Sequence, residues 1–115
     1  MFKMRKIFAL LTILLLGAAM LAGCGAEGEE KVIKIGVFEP LTGLNAPGGK
    51  QEALGIQYAH SKKSKVHING QTYKIELVEM DHGSDPAAAP DTARKLVEEK
   101  VTAVIGTYGS ACAIA

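Results

Sequence analysis

Cysteine is scarce: of two in 115 residues, Cys24 closes a hydrophobic leader, which leaves Cys112 without a partner in the chain. A disulfide framework is thereby excluded. Cys112 lies among Ser110, Ala111 and Ala113 with no motif neighbour, so it reads as a small buried packing residue rather than a nucleophile or metal ligand. The apolar stretch Ile7 to Met20 falls short of the roughly 18 to 20 residues that span a bilayer as a helix, which argues against a permanent transmembrane anchor.

Phosphate-binding loops are also missing. Gly43 and Gly48 invite comparison with G-x-x-x-x-G-K-[ST], but Gly49 follows, Lys50 comes one place late, and Gln51 stands where a magnesium-binding hydroxyl is needed. The dinucleotide pattern G-x-G-x-x-G does not occur. His60, His67 and His82 are scattered without ligand spacing, so they read as surface histidines and no metal or other cofactor is expected. Asp81 and Asp85 read as loop-fixing or capping residues, and no nucleophile stands beside a base, so an enzyme is not expected.

A basic surface is lacking once the leader is set aside. Three of the 13 Lys and Arg precede Cys24 whereas all 12 Asp and Glu follow it, so the remainder carries 10 basic against 12 acidic residues, a formal charge of −2. Nucleic acid is not an expected partner, and Lys62, Lys63 and Lys65 read as a solvated helix end.

What is present begins with an export signal. Lys3, Arg5 and Lys6 precede the apolar stretch, and Leu21-Ala22-Gly23-Cys24 is the pattern cleaved before a lipidated cysteine. The expected organisation is a lipoprotein signal peptide over 1–23, a flexible polar tether over 24–31, and a domain over 32–115. Acyl chains on Cys24 would hold the protein to a membrane on its extracytoplasmic side. About 90 residues then remain, enough for one small domain, and the chain is expected to continue beyond Ala115.

Val32 to Phe38 is a β-branched run too continuous for a half-solvated strand, so it predicts a buried strand of a parallel sheet. Glu39 to Gly49 reads as a loop, and Gln51 to Lys63 as a helix that packs through Leu54, Tyr58 and Ala59 beside Ala53 and Ile56. Asn69-Gly70 predicts a tight turn after His67 and Ile68. Tyr73 to Met80 predicts a strand near a sheet edge, its alternation broken at Val78 and Met80. Asp85-Pro86 reads as a helix start, with the helix running to about Glu99; Pro90 leaves open a later start near Asp91. Val101 to Ile105 predicts a third buried strand, and Gly106 to Ser110 a tight turn into a helix.

Strands alternating with helices imply a three-layer α/β lobe around a parallel sheet, whose ligands bind at the carboxyl ends of the strands. Three loops fall there: Glu39 to Gly49, Asp81 to Ser84, and Thr107 to Ser110. The last offers a hydroxyl and backbone N–H groups at a helix start, which suits a carboxylate; equally, Ser110 could cap its own helix.

Ile35-Gly36-Val37-Phe38-Glu39-Pro40-Leu41-Thr42-Gly43, then Asp81-His82-Gly83-Ser84-Asp85-Pro86, then Ala103-Val104-Ile105-Gly106-Thr107-Tyr108-Gly109-Ser110 occur in order. Together they resemble the amino-terminal part of branched-chain amino acid or amide solute-binding proteins, the leucine-binding-protein-like receptors of ABC importers. The resemblance runs from about Ile33 to Ala115. It implies part of the first lobe of a type I periplasmic binding fold, a small amino acid or amide as ligand, ABC permease subunits as partners, and no catalysis. It further implies that Ser110 and the N–H groups around Ala111 take a ligand carboxylate, that Tyr108 faces the ligand, and that the loop from Thr42 shapes the cleft mouth. Gly48 departs from relatives that place a large aromatic there, and Ala113 adds no hydroxyl. A lipid-anchored sensor or adaptor with the same fold, or an exported hydrolase using Ser110 or Cys112, are the other readings.

Overall fold

In the computed structural model, which describes residues 30–115, the chain forms β1 (Lys31–Glu39), α1 (Ala46–Lys62), β2 (Lys65–Ile68), β3 (Gln71–Asp81), α2 (Ala89–Glu98), β4 (Ala103–Ile105) and a short α3 (Ser110–Ala113). The leader, Cys24 and most of the expected tether lie outside the described residues. The sheet order is β2-β3-β1-β4, with β1 parallel to both β3 and β4. β2 is the exception to the expected all-parallel sheet. It pairs antiparallel with β3 through Asn69-Gly70, where φ values of 51° and 77° give the doubly left-handed turn that matches strand twist.

Side-chain alternation along β1 divides the molecule into three layers. Gly36 and Phe38 face α2, where Leu96 lies against Gly36 and Phe38 joins Ala89, Leu96 and Cys112 in the core. Ile35 instead turns to the other face with Ile75, Leu77 and Ile105, opposite Ile56, Ala59 and His60 of α1. This layering explains the broken alternation of β3. Val78 and Met80 pack under α2, whereas Lys74 and Glu76 lie beyond its reach in solvent. Burying Leu96, 2% exposed, contributes about 2 kcal/mol.

Three expectations need correction. The first helix begins at Ala46 rather than Gln51, because Pro47 sits in the first turn, where its missing N–H costs nothing. Its packing stripe is Gly49, Ala53, Ile56 and His60, while Leu54 and Tyr58 point to solvent. A Cβ on Gly49 would collide with Pro40, so this glycine sets how closely the helix meets the end of β1. The strand expected over Val101 to Ile105 shortens to Ala103–Ile105 and is exposed, because among the described residues β1 alone flanks it.

For the second helix the later start holds, with Pro90 in the first turn of Ala89–Glu98. Asp85 caps the turn before it: Oδ1 accepts the Ala87 N–H at 2.8 Å, and its carbonyl accepts those of Ala88 and Ala89. Ala89, Thr92 and Leu96 form the buried stripe, at the i, i+3, i+7 spacing of one helix face. Of the basic cluster, Lys62 ends α1 and Lys65 opens β2 with an ion pair to Glu30 at 2.9 Å, all exposed.

Candidate ligand site at the carboxyl edge of the sheet

β1, β3 and β4 run the same way, so the segments that follow them meet at one edge: Pro40 to Asn45, His82 to Ser84, and Gly106 to Gly109. The first two are knit by Asp81. Its Oδ1 accepts the N–H groups of Leu41 at 2.9 Å, Thr42 at 3.3 Å and Gly83 at 2.8 Å, and its Oδ2 accepts the Thr42 hydroxyl at 2.6 Å. Burial alone would raise this carboxyl, but the four hydrogen bonds to the charged form outweigh it and hold Asp81 below its ordinary value. Ser84 completes the seam, donating to the Thr42 carbonyl and accepting the Asn45 N–H, both at 2.9 Å.

Two buried polar residues connect this seam to the third segment, and sequence patterning identified neither. His82, expected at the surface, is 1% exposed. Its ring lies 4.7 Å from that of Phe38, and Nε2 is 2.6 Å from the Thr107 hydroxyl. Position decides its burial: the residue follows β3 directly, two beyond Met80, the register partner of Phe38, and lies against Thr107 of the turn after β4. Glu39, also 1% exposed, accepts the Tyr108 N–H through Oε2 at 2.8 Å. Burial raises its carboxyl above the ordinary range; the Tyr108 N–H opposes this, and the charge of Glu52 adds to it. The remaining histidines sit away from this edge. His60 is half-buried with Nε2 2.9 Å from the Ile75 carbonyl, and His67 is exposed in the hairpin.

The sequence-predicted site residues fall around the third segment. Gly109, with φ 111°, is the N-cap of α3, so Ser110 is a helical residue and does not cap its own helix. Among the described residues no hydrogen bond engages the Ser110 hydroxyl or the N–H groups of Ser110 and Ala111, and both residues are exposed. Tyr108 is half in solvent, its ring lying where a side chain on Gly48 would have to go. Thr42 borders the same edge, but its hydroxyl proton is committed to Asp81, so it can offer a ligand only an acceptor. Cys112 points the other way, into the core.

Chemically, the edge offers unengaged N–H groups and a hydroxyl beside a phenol ring, a combination that can hold a small carboxylate or amide. Among the described residues, no three His, Cys, Asp or Glu side chains cluster as metal ligands. The family model for periplasmic binding proteins matches residues 32–115. The chain belongs to this family. It is 36% identical over 83 residues to Leu/Ile/Val-binding protein homolog 2 of Brucella abortus, a match covering 71% of this chain and 22% of that protein. Among solved structures it resembles a leucine-binding protein from Thermotoga maritima, at 35% identity and TM-score 0.63, covering 71% of this chain and 23% of that one. A solute-binding protein of an ABC transporter from R. palustris, in complex with benzoate, matches at 32% identity and TM-score 0.61, covering 72% of this chain and 22% of that one. The chain therefore spans under a quarter of the length of these relatives. The mixed α/β layers and the parallel pairing of β1 with β3 and β4 agree with their fold.

Proposed function

We propose that this chain belongs to an extracytoplasmic solute-binding lipoprotein of an ABC importer, which captures a branched-chain amino acid or a related amino acid or amide. The observation that carries the reading is the exposed pair of unengaged N–H groups at Ser110 and Ala111, beside the Ser110 hydroxyl and Tyr108 at the carboxyl edge. Such donors suit a carboxylate or amide oxygen, and leucine and benzoate are the ligands named for the similar structures. Binding needs no bond to be made or broken. A lobe that carries half of the contacts closes against a second, and the closed form is the one a permease would recognise. Cys24, lipidated after cleavage of 1–23, would keep the receptor at the membrane.

Calorimetric titration of the full protein, as its gene encodes it, with leucine, isoleucine, valine, benzoate and acetamide tests the reading. Binding of at least one, weakened roughly thirtyfold by Ser110→Ala through loss of a hydrogen bond worth about 2 kcal/mol, is expected. Silence with every probe would overturn it. The anchor has a separate test: labelled palmitate should enter the wild-type protein in growing cells and be absent from Cys24→Ser.

A further inference from the structure

Glu39 is more closely enclosed than its chemistry requires. It is 1% exposed, its Oε2 accepts the Tyr108 N–H, and its Oε1 has no partner among the described residues. No described Lys, Arg or His forms an ion pair with it, and the nearby charge of Glu52 is of the same sign. The turn is built to admit it. A Cβ on Gly106 would stand 2.8 Å from Oε1 and collide with the Phe38 carbonyl, so the glycine lets the end of β1 lie directly against the segment that leads to Ser110. A neutral acceptor would satisfy the Tyr108 N–H as well as a carboxylate does, and burying a charge without a counter-ion is costly. The charge therefore calls for a role beyond tethering.

That role follows from where the charge sits. Tyr108 and Ser110 are two residues apart, so even an extended chain leaves Oε2 within about 10 Å of the Ser110 N–H. When Glu39 is ionised, a second carboxylate bound there is repelled, and at that range a full charge weighs on the order of tenfold in affinity. A zwitterion or a neutral amide, with no net charge, is penalised less. We propose that Glu39 is a positioning and specificity-determining residue: it tethers the Gly106–Ser110 turn to β1 through the Tyr108 N–H, and its charge biases the site towards zwitterionic and neutral ligands over simple carboxylate anions.

This inference rests on the binding function proposed above, and the experiment separates the two. The full protein is titrated with leucine and with 4-methylpentanoate, which differ only by the α-ammonium group, or with acetamide and acetate if it binds amides. Glu39→Gln keeps the size and the acceptor. It should fold, hold the zwitterion or amide, and improve the affinity of the anion relative to it by about tenfold; Glu39→Ala should weaken both ligands of the pair. If wild-type protein binds but the ratio stays unchanged in Glu39→Gln, including an anion that remains undetectable, the inference is overturned and the binding function stands. If wild-type protein binds none of the probes, both fall. Hydrogen exchange of the unmodified protein supplies a readout that no failure of folding can remove: the Tyr108 amide should exchange more slowly than those of Ser110 and Ala111, and equal rates would overturn the tether.

Discussion

Glu39 and Asp81 end neighbouring parallel strands and are partners in register, yet they meet opposite surroundings. Asp81 is exposed and has its carboxylate filled by three N–H groups and a hydroxyl. Glu39 is buried and has one hydrogen bond among the described residues. Hydrogen bonds to the charged form pull the first below its ordinary value, and desolvation pushes the second above its own. The same functional group at the same level of one sheet is thus a fastener in one strand and a source of tension in the next. What separates them is the chain that follows. Asp81 is met by the backbone of Leu41, Thr42 and Gly83, whereas Glu39 is covered by a turn that spares it one N–H.

The comparison breaks most severely at the glycine beside each acid. Gly106→Ala should destabilise the protein by about 3 kcal/mol or more, because its Cβ collides with the Phe38 carbonyl, presses on Glu39 and forces a side chain to φ 130°. Gly83→Ala, beside Asp81, meets nothing closer than the Thr42 hydroxyl at 3.7 Å and should cost only the left-handed backbone, about 1 kcal/mol. Urea midpoints of the two variants measure the difference. Equal losses would mean that Glu39 is no more tightly enclosed than Asp81.

Removing the fastener comes next. Asp81→Ala deprives three N–H groups and one hydroxyl of their acceptor, but the site is open to water, so the loss should be about 2 kcal/mol rather than the sum of four buried bonds. Thr42→Val removes the shortest of the four and should cost about 1 kcal/mol. If Thr42→Val costs as much as Asp81→Ala, the seam is held by the one hydroxyl and the backbone bonds count for nothing.

Much of the architecture around these acids was legible in the sequence. Val32 to Phe38 declared a strand through its β-branched and apolar run, although only its end from Gly36 is fully buried and Val32 is exposed; Asn69-Gly70 declared its turn, and the alternation of strands and helices placed three loops at one edge. The failures have a common physical origin in contacts between segments far apart in sequence. Gly48 and Gly49 read as the end of a loop, yet they lie in the first turn of α1, where Tyr108 and Pro40 occupy the space that side chains on them would need. His82 stood in a polar run and gave no sign that Phe38 and Thr107 would enclose it. Glu39 read as the first residue of a loop; its pairing with Asp81 and its bond to Tyr108 exist only once β1 lies between β3 and β4. Ser110, Ala111 and Tyr108 were placed at the edge by motif, but the acid that tethers their turn was not.

The smallest expected effect is also the one that tests the comparison by sign. A carboxyl lowered on folding adds stability that is present above its unfolded value and lost as pH falls through its folded value, so Asp81 should make the protein weaken in acid. A carboxyl raised on folding acts in reverse. Its contribution is most favourable below its unfolded value and declines as pH rises through its folded value, so Glu39 should weaken the protein on the neutral side. Following urea midpoints from acid to neutral pH, Asp81→Asn should flatten the acid limb, and Glu39→Gln should remove the decline above the ordinary carboxylate range. Exposure of Asp81 lets solvent and salt screen its share, so raising the ionic strength should shrink the acid limb more than the neutral one. If both substitutions changed the profile in the same direction, the two carboxylates would share one environment, and the tension assigned to Glu39 would have to come from elsewhere in the turn.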